Sequence, residues 1–439
     1  KNGLLKTLLQ MNKKILKNCR IVDPSQKMDE IGNIIINENG KIEDIGAKAK
    51  IPNKSSKMET FDFNNKIAIP GLVDMGVFVG EPGFEYKENF RSLTNAALSG
   101  GVTSVVTMPN TKPLIDNVSM VDFIMRRGRD KSKLNIFPAA CLTRGMCGEE
   151  MTELGLLSSK GIIGFIDPYK SIKNTEIMSR IMDYASDMGV LIMQHAEDYD
   201  LSKDGCINEG EIATRLGLSS VPSIAEKIII ERDLSLLDEF KCRYHINQIS
   251  SQKSVDVIKK NKSNGKKFTV GVSINHLSLN DNDIGDFKTF LKFSPPLRSE
   301  EDRKSLVKGI NEGLIDVIVS SHKPEDEESK RLPFAQAATG SIGVETLLPL
   351  ALELFHNKSI ELNKIIEMIT INPAKILKIK KGSLKIGSDA DICIFDLEKP
   401  WVVKANDLKS KSKNTAIEER KLQGKVLKTF LGGELVFDN

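Results

Sequence analysis

The pattern of hydrophobic and polar positions divides the chain into two short all-β ends and a long alternating centre. Between residues 15 and 69, short apolar runs alternate with turns, and Asn39-Gly40 is a typical hairpin turn. Short runs of the same kind return near the C-terminus, where Gly432-Gly433 separates two of them. Two all-β segments at opposite ends of one chain most simply pair into a single small domain.

In the centre, apolar strand candidates alternate with helical patterns at a regular spacing. Strands this apolar are typical of parallel sheets that are covered on both faces. About eight such units in roughly 300 residues favour a (β/α)8 barrel over an open sheet, with chemistry at the C-terminal ends of the strands. The candidates are residues 103–108, 134–139, 161–165, 190–193, 244–249, 268–272 and 317–319.

The sequence therefore predicts an α/β protein with a (β/α)8 TIM-like barrel and a small β-sandwich domain built from the N- and C-terminal segments. We place the N-terminal part of the sandwich at 12–69, the barrel at 70–377 and the C-terminal part at 378–439. Met11 is a plausible first residue of the native chain, because the folded pattern begins just after it.

Composition narrows the class of protein. The net charge of +4 is spread along the chain, so we expect no nucleic-acid partner. The run Lys409-Ser410-Lys411-Ser412-Lys413 is interpreted as a solvated loop. Six scattered cysteines without a Cys-x-x-Cys motif indicate reduced thiols in a cytoplasmic protein. No apolar run approaches the roughly 20 residues of a membrane span, so no membrane association is expected.

Long framework motifs link the chain to a known family. They are Glu81-Pro82-Gly83-Phe84-Glu85-Tyr86-Lys87-Glu88, Met108-Pro109-Asn110-Thr111, Asn208-Glu209-Gly210-Glu211, Pro295-Pro296-Leu297-Arg298, Gly343-Val344-Glu345-Thr346 and Ile371-Asn372-Pro373-Ala374-Lys375. On these motifs the chain resembles the type I dihydroorotases of the amidohydrolase superfamily, from about residue 19 to its last residues. The resemblance implies a zinc site, held by histidines and a carboxylate, that interconverts carbamoyl-aspartate and dihydroorotate.

The positions that the resemblance assigns to zinc differ from the family pattern. Gly76 and Phe78 replace the expected His-x-His pair, and Gln248 replaces a further histidine. Asp167 and His195 are the remnants that match. Because catalytic zinc normally keeps three protein ligands, we expect no metal and no other cofactor.

The positions for catalysis and substrate differ as well. Ser321 replaces the expected acid/base aspartate, so the resemblance predicts no catalytic residue. Gly80 replaces a substrate-binding arginine, Ser294 an asparagine and Glu325 a histidine, whereas Asn110 matches. We expect Glu325 to repel an anionic substrate. These losses predict a non-enzyme, similar to the catalytically inactive branch of the family.

Three functions follow from the resemblance. The leading one is a structural or regulatory partner of aspartate transcarbamoylase in pyrimidine biosynthesis, with self-association into a dimer or larger oligomer. The second is an active dihydroorotase or related cyclic-amide hydrolase with a shifted metal site, which needs Asp167, His195 and a further ligand. The third is a homo-oligomeric, non-catalytic adaptor.

The histidines also have simpler interpretations. His195 is expected to be a hydrogen-bonded residue at the open end of the barrel, and His245 and His276 are expected to be structural. His356 is expected at the surface. Phe78 is expected to fill the space left by metal and substrate.

Overall fold

The computed structural model describes residues 12–51, 58–64 and 66–439. Met11, predicted as the first residue of the native chain, lies outside these ranges. The strands are β1 (Lys13–Asp23), β2 (Met28–Ile36), β3 (Ile42–Gly46), β4 (Met58–Asp62), β5 (Ile67–Pro70), β6 (Leu72–Val77), β7 (Val102–Thr107), β8 (Asn135–Pro138), β9 (Leu191–Gln194), β10 (Ile207–Asn208), β11 (Ser220–Val221), β12 (Arg243–Ile249), β13 (Thr269–Ser273), β14 (Val317–Val319), β15 (Ile392–Val402), β16 (Lys421–Leu431) and β17 (Glu434–Asp438).

Helices follow most strands of the centre. They are α1 (Phe90–Ser99), α2 (Val118–Lys131), α3 (Leu154–Ser159), α4 (Thr175–Met188), α5 (Tyr199–Ser202), α6 (Glu211–Leu216), α7 (Ile224–Glu239), α8 (Gln252–Ser263), α9 (Ile274–Ser278), α10 (Glu300–Asn311), α11 (Glu327–Lys330), α12 (Leu347–His356), α13 (Leu362–Ile369) and α14 (Ile371–Leu377). Short 3-10 helices cover Pro24–Gln26, Arg144–Met146, Asp281–Ile284, Thr289–Leu291 and Ala405–Asp407.

The two ends of the chain share one sheet, in the order β17-β16-β15-β5-β1-β2-β3, with β4 paired to β1. The join between the ends is the antiparallel pair of β5 and β15, in which Pro70 lies opposite Ile392. Alternate residues of these strands, including Leu16, Ile34 and Phe430, meet in a small apolar core. The predicted β domain from both ends is therefore present, while the boundaries at 69 and 377 stay predictions.

The central strands close into a parallel ring. One sheet contains β6, β7 and β8, and the other contains β9, β12, β13 and β14. Single bridges join the two sheets, because Phe165 pairs with Ala140 and Ile192, and Val77 pairs with His322. This ring of eight confirms the predicted α/β barrel. Its interior is filled by apolar side chains, among them Val73, Met75, Val106, Ile166, Met193 and Val319.

One predicted strand is less regular than expected. Of residues 161–165, only Phe165 forms bridges to its neighbours. The backbone N–H of Ile163 donates to Pro138 O on β8, but the proline has no N–H with which to continue that ladder. Phe165 therefore closes the barrel as an isolated position.

The lysine–serine run at 409–413 differs from the predicted solvated loop. Its lysines are exposed, but Ser410 and Ser412 are buried. Backbone N–H groups of the run donate to the carboxylates of Glu88 and Glu345 in the barrel. The alternation of lysine and serine therefore reflects an extended segment with one buried face, which attaches the C-terminal part to the barrel.

The carboxylate of Glu88 connects three loops. It accepts hydrogen bonds from the hydroxyls of Ser92 and Ser410 and from the backbone N–H of Lys411. Its Oε2 also lies 3.6 Å from Nε2 of His322, and both side chains are fully buried. The loop that follows β14 is thereby held against the loop that precedes α1.

Within the described ranges, no helix is long and apolar enough to cross a bilayer. All six cysteines are unpaired, and Cys147 alone among them is exposed. Burial raises the pKa of the Cys242 thiol to about 11, which keeps it protonated at neutral pH.

Two histidines belong to the framework, as the sequence predicts. His245 contacts Thr269 Oγ1 through Nδ1 at 2.8 Å, and Nε2 of His276 lies 3.2 Å from the carbonyl oxygens of Pro295 and Pro296. Burial lowers the pKa of His245 to about 3 and that of His276 to about 4. Both rings are therefore neutral in the folded protein above pH 5.

We predict that replacing His276 makes the stability less sensitive to acid. In the unfolded chain the imidazole has a pKa of about 6.5, so below that pH it is protonated, whereas the buried ring of the folded protein stays neutral. The folded-state pKa is depressed, so stability is lost as the pH falls from about 6.5 towards about 4, by about 1.4 kcal/mol per pH unit. Denaturant unfolding of wild type and His276→Asn at pH 6.5, 6.0, 5.5 and 5.0 gives the free energy of unfolding of each protein as a function of pH. We expect a smaller slope for His276→Asn than for wild type. Equal slopes would contradict it.

Candidate functional site

The predicted site residues of several strands meet at one end of the barrel. The buried Oδ1 of Asp74 accepts hydrogen bonds from the backbone N–H groups of Gly76 and Ser320, which fixes the ends of β6 and β14 side by side. The residues between the strand ends enclose two small spaces of about 20 and 10 Å³. We call the residues used below the barrel mouth: Tyr169, His195, Gln248, Ser294, Ser321 and Lys323.

Two of the replaced positions bond to each other. The Gln248 amide donates a hydrogen bond to the Ser321 hydroxyl, so the position of a family histidine contacts that of the family aspartate. Ser321 has a left-handed backbone, with φ of 51°. Ser294 lines both small spaces beside this pair. Together these groups offer amide and hydroxyl hydrogen bonds, but no carboxylate.

The replaced His-x-His positions now contribute to packing. Phe78 is buried, and its ring lies 6.2 Å from that of Phe84. It does not line the two small spaces, so its predicted filling of the metal and substrate space stays a prediction. A Cβ built on Gly76 would lie 3.4 Å from Val319 Cβ, so a side chain at this position needs only a small adjustment.

The position of the family arginine is closed by the backbone. Gly80 has a φ of +74°, in the left-handed region that favours glycine. A Cβ there would lie 2.6 Å from Glu88 O and 2.7 Å from Phe84 O. No side chain can replace Gly80 unless this loop moves.

Asp167 is placed away from the barrel mouth. Its carboxylate accepts hydrogen bonds from the backbone N–H groups of Leu142 and Thr143 and from the Thr143 hydroxyl. Burial raises the pKa of this carboxyl. The side chain borders a separate space of about 600 Å³, which we call the outer cavity and which is lined by Met146, Asp167, Tyr169, Lys173, Glu197 and Tyr199.

His195 remains at the barrel mouth. Burial lowers the pKa of its ring to about 4, so it is neutral at physiological pH. Its Nε2 is buried without a hydrogen-bond partner, whereas the sequence predicts a hydrogen-bonded His195. The ring of Tyr169 lies 5.9 Å away. An unpaired, neutral imidazole nitrogen can accept a proton or a hydrogen bond.

Asn110 and His356 contribute nothing to the two small spaces. Oδ1 of Asn110 is buried without a partner. His356 is half-buried at the end of α12, rather than at the surface as predicted.

Lys323 and Tyr169 form a contact that the sequence reasoning missed. The Lys323 ammonium lies 4.0 Å from the centre of the Tyr169 ring and donates to Thr339 Oγ1 at 2.8 Å. Burial lowers the pKa of Lys323 to about 8. The available signal was the lysine after His322, because the family pattern has alanine there.

Glu325 does not present the repulsive charge that the sequence predicts. Its side chain is 5% exposed and forms an ion pair with Lys87. Lys323 Nζ lies 3.8 Å from its other oxygen. The negative charge of Glu325 is balanced because Lys87, which precedes Glu88 in the framework motif, points towards it.

The residues present do not fit the zinc that the fold family implies. At the mouth, His195 offers one free nitrogen, whereas the oxygens of Asp167 are already bonded to the neighbouring loop. In the part of the chain that the structure describes, no three His, Cys, Asp or Glu side chains form a group that could hold a metal ion. The shifted metal site considered above therefore has no third ligand among these residues.

Comparison with known proteins identifies relatives. A family model described as dihydro-orotase-like matches residues 65–254, and an amidohydrolase family model matches residues 344–437. The chain is 39% identical over 422 residues to a protein named dihydroorotase from Ehrlichia chaffeensis, covering 96% of this chain and 94% of that one. A dihydroorotase from Trichlorobacter lovleyi is 36% identical over 423 residues, covering 96% and 99%.

Solved structures confirm the fold. An L-hydantoinase (dihydropyrimidinase) from Arthrobacter aurescens superposes with a TM-score of 0.87 at 24% identity, covering 98% of this chain and 96% of that one. A dihydropyrimidinase from Brevibacillus agri NCHU1002 superposes with a TM-score of 0.83 at 21% identity, covering 97% and 95%.

The relatives contradict the prediction that the chain is not an enzyme. Dihydroorotase is the name of an enzyme, and proteins with that name match this chain at 36–39% identity over 94–99% of their length. The prediction was wrong because it weighed a few strand-end positions above the likeness of the whole chain.

We predict that restoring histidines creates a zinc site. In the variant Gly76→His/Phe78→His/Gln248→His, three imidazoles join His195 at the barrel mouth, and zinc in proteins is typically held by four ligands. Zinc competition with a chromophoric chelator should give one tightly bound ion per chain for this variant and none for wild type. Adding His195→Asn to the variant should weaken binding. Equal binding by wild type and the triple variant would contradict the fit argued above.

Proposed function

Because the chain belongs to the dihydroorotase-like family of amidohydrolases, we propose that it acts in pyrimidine biosynthesis on dihydroorotate and its open form, carbamoyl-aspartate. The observation that carries this proposal is the identity of 36–39% over nearly the whole length of proteins named for that activity. Identity spread over both the barrel and the β domain supports a shared substrate class better than the fold alone does.

The proposed chemistry uses side chains of this chain only, because the residues that the structure describes do not fit zinc. Ring closure joins the ureido nitrogen to the side-chain carboxyl carbon, with uptake of one proton and release of water. His195 has the free nitrogen that can accept the ureido proton. The Gln248 amide and Ser321 hydroxyl can donate hydrogen bonds to the carboxyl oxygen that leaves.

This chemistry sets a modest expected rate. General acid–base catalysis contributes typically about 10²–10⁴-fold, whereas enzymes as a class reach about 10⁶-fold or more. A histidine with a pKa of about 4 is also a weak base at neutral pH. We therefore expect a slow enzyme.

We predict that His195→Asn lowers ring closure and ring opening at least tenfold, because the proton acceptor is lost. The matched control is His356→Asn, since His356 lies outside the barrel mouth. All proteins are produced in a host that lacks its own dihydroorotase, and both directions are followed by the ultraviolet absorbance of dihydroorotate. If wild type and His195→Asn show the same rate above buffer, the proposed role of His195 fails.

A second proposal concerns partners. The larger space at the mouth is only about 20 Å³, far smaller than the substrate, so the chain as described is closed. Carbamoyl-aspartate must be supplied by a carbamoyl transfer to aspartate, and a slow enzyme gains most when its substrate is released beside it. The origin of the substrate favours association with aspartate transcarbamoylase. Self-association into a dimer or larger oligomer is proposed from the family resemblance alone.

We predict a mixed assembly of defined mass when this chain is combined with aspartate transcarbamoylase of the same organism. Native mass measurement of each protein alone, and of the mixture at micromolar concentration, tests both parts. The chain alone should run at twice its mass of 48.6 kDa or above. Separate species in the mixture would contradict the association, and a monomer would contradict self-association.

A further inference from the structure

The barrel mouth contains a half-buried cation, the ammonium of Lys323. Lys323 follows β14, and its alkyl stem lies over Gly340, where a Cβ would be 2.6–2.8 Å from the lysine carbons. Gly340 has a φ of +123°, so both its backbone and its lack of a side chain suit this contact. The side chain is 16% exposed, and its ammonium borders the space lined by Ser294 and Ser321.

The charges around Lys323 do not balance. Glu325 is the carboxylate of this group, and it is already paired with Lys87. Lys292 and Lys330 are buried nearby and donate to backbone carbonyls, which accept hydrogen bonds but carry no charge. Four lysines and one glutamate give a net charge of +3 when all are ionised. Burial lowers the pKa of Lys330 to about 7 and that of Lys323 to about 8, so the positive excess at neutral pH is smaller than +3. A buried excess of positive charge favours the binding of an anion.

Tyr169 covers this cation. Its backbone is left-handed, with φ of 62°, which is a strained conformation for a tyrosine. Its ring faces the ammonium of Lys323 and separates the barrel mouth from the outer cavity of about 600 Å³, which it also lines. Movement of the ring into the outer cavity would expose Lys323 and join the two spaces.

We propose that Lys323 binds the carboxylate of the substrate and that Tyr169 is a movable cover over it. The inference rests on the proposed function and deepens it. The closed backbone at Gly80 excludes a cationic side chain at that position, and Lys323 supplies the cation for the substrate instead. A charge-assisted hydrogen bond from the ammonium to a carboxylate is stronger than its contact with a ring face, so an incoming carboxylate can displace Tyr169.

The test is equilibrium binding by titration calorimetry, measured separately from turnover. Dihydroorotate is the probe, and dihydrouracil, the same ring without the carboxylate, is the neutral comparison. Wild type should bind dihydroorotate at least tenfold more tightly than dihydrouracil. Lys323→Met should remove that preference, whereas Lys323→Arg should retain part of it because the charge is kept.

Further variants test the cover and control for charge. Tyr169→Ala should bind dihydroorotate at least threefold more tightly, because no ring has to move. The control Lys203→Met removes an exposed lysine outside the mouth and should bind as wild type does. Circular dichroism checks that each variant is folded, and Gly340→Ala, which displaces the lysine stem, gives a second test if Lys323→Met does not fold.

The outcomes separate this inference from the proposed function. Unchanged binding by Lys323→Met, equal binding of dihydrouracil, or no binding of dihydroorotate by wild type overturns the carboxylate site. Weaker binding by Tyr169→Ala overturns the cover. Carboxylate-dependent binding without turnover overturns the proposed activity but supports the carboxylate site. Turnover that survives Lys323→Met supports the proposed activity but overturns the carboxylate site.

Discussion

The buried carboxylate of Glu88 holds together the loops on which the site depends. It binds hydroxyl and N–H donors from the start of α1 and from the run at 409–413, and it faces His322. Because a buried carboxylate is costly unless it is fully bonded, these loops are stable only together. Lys323 directly follows His322, so the same network places the half-buried cation at the barrel mouth.

The packing inside the barrel is independent of the polar residues at its mouth. The interior of the ring is filled by apolar side chains below the mouth, and these do not depend on which polar residues end the strands. At positions that the family resemblance assigns to zinc and to the acid/base aspartate, Phe78 is buried and Gln248 bonds to Ser321. Gly80 leaves no room for a cation, whereas Lys323 lies in the loop after β14, and we propose that it meets the electrostatic requirement of an anionic substrate.

Much of the fold could be predicted from the sequence because strand patterns and framework motifs are local and long. The site was harder, because its chemistry depends on contacts between distant loops. The sequence predicts that Glu325 repels an anionic substrate, because its ion pair with Lys87 is apparent only in the structure. The lysine–serine run was misinterpreted because its buried face is apparent only beside Glu88. Strand-end substitutions were read as loss of activity, although the relatives indicate an enzyme.

We propose that this chain works on dihydroorotate with its own side chains rather than with zinc. The most direct measurement compares bound metal and ring-opening rate in the same samples, before and after exhaustive chelation and after zinc is added back. We predict a slow rate that stays the same while the metal content varies. A rate that rises and falls in proportion to bound zinc, or no rate at all in any sample, would contradict the proposed zinc-free chemistry.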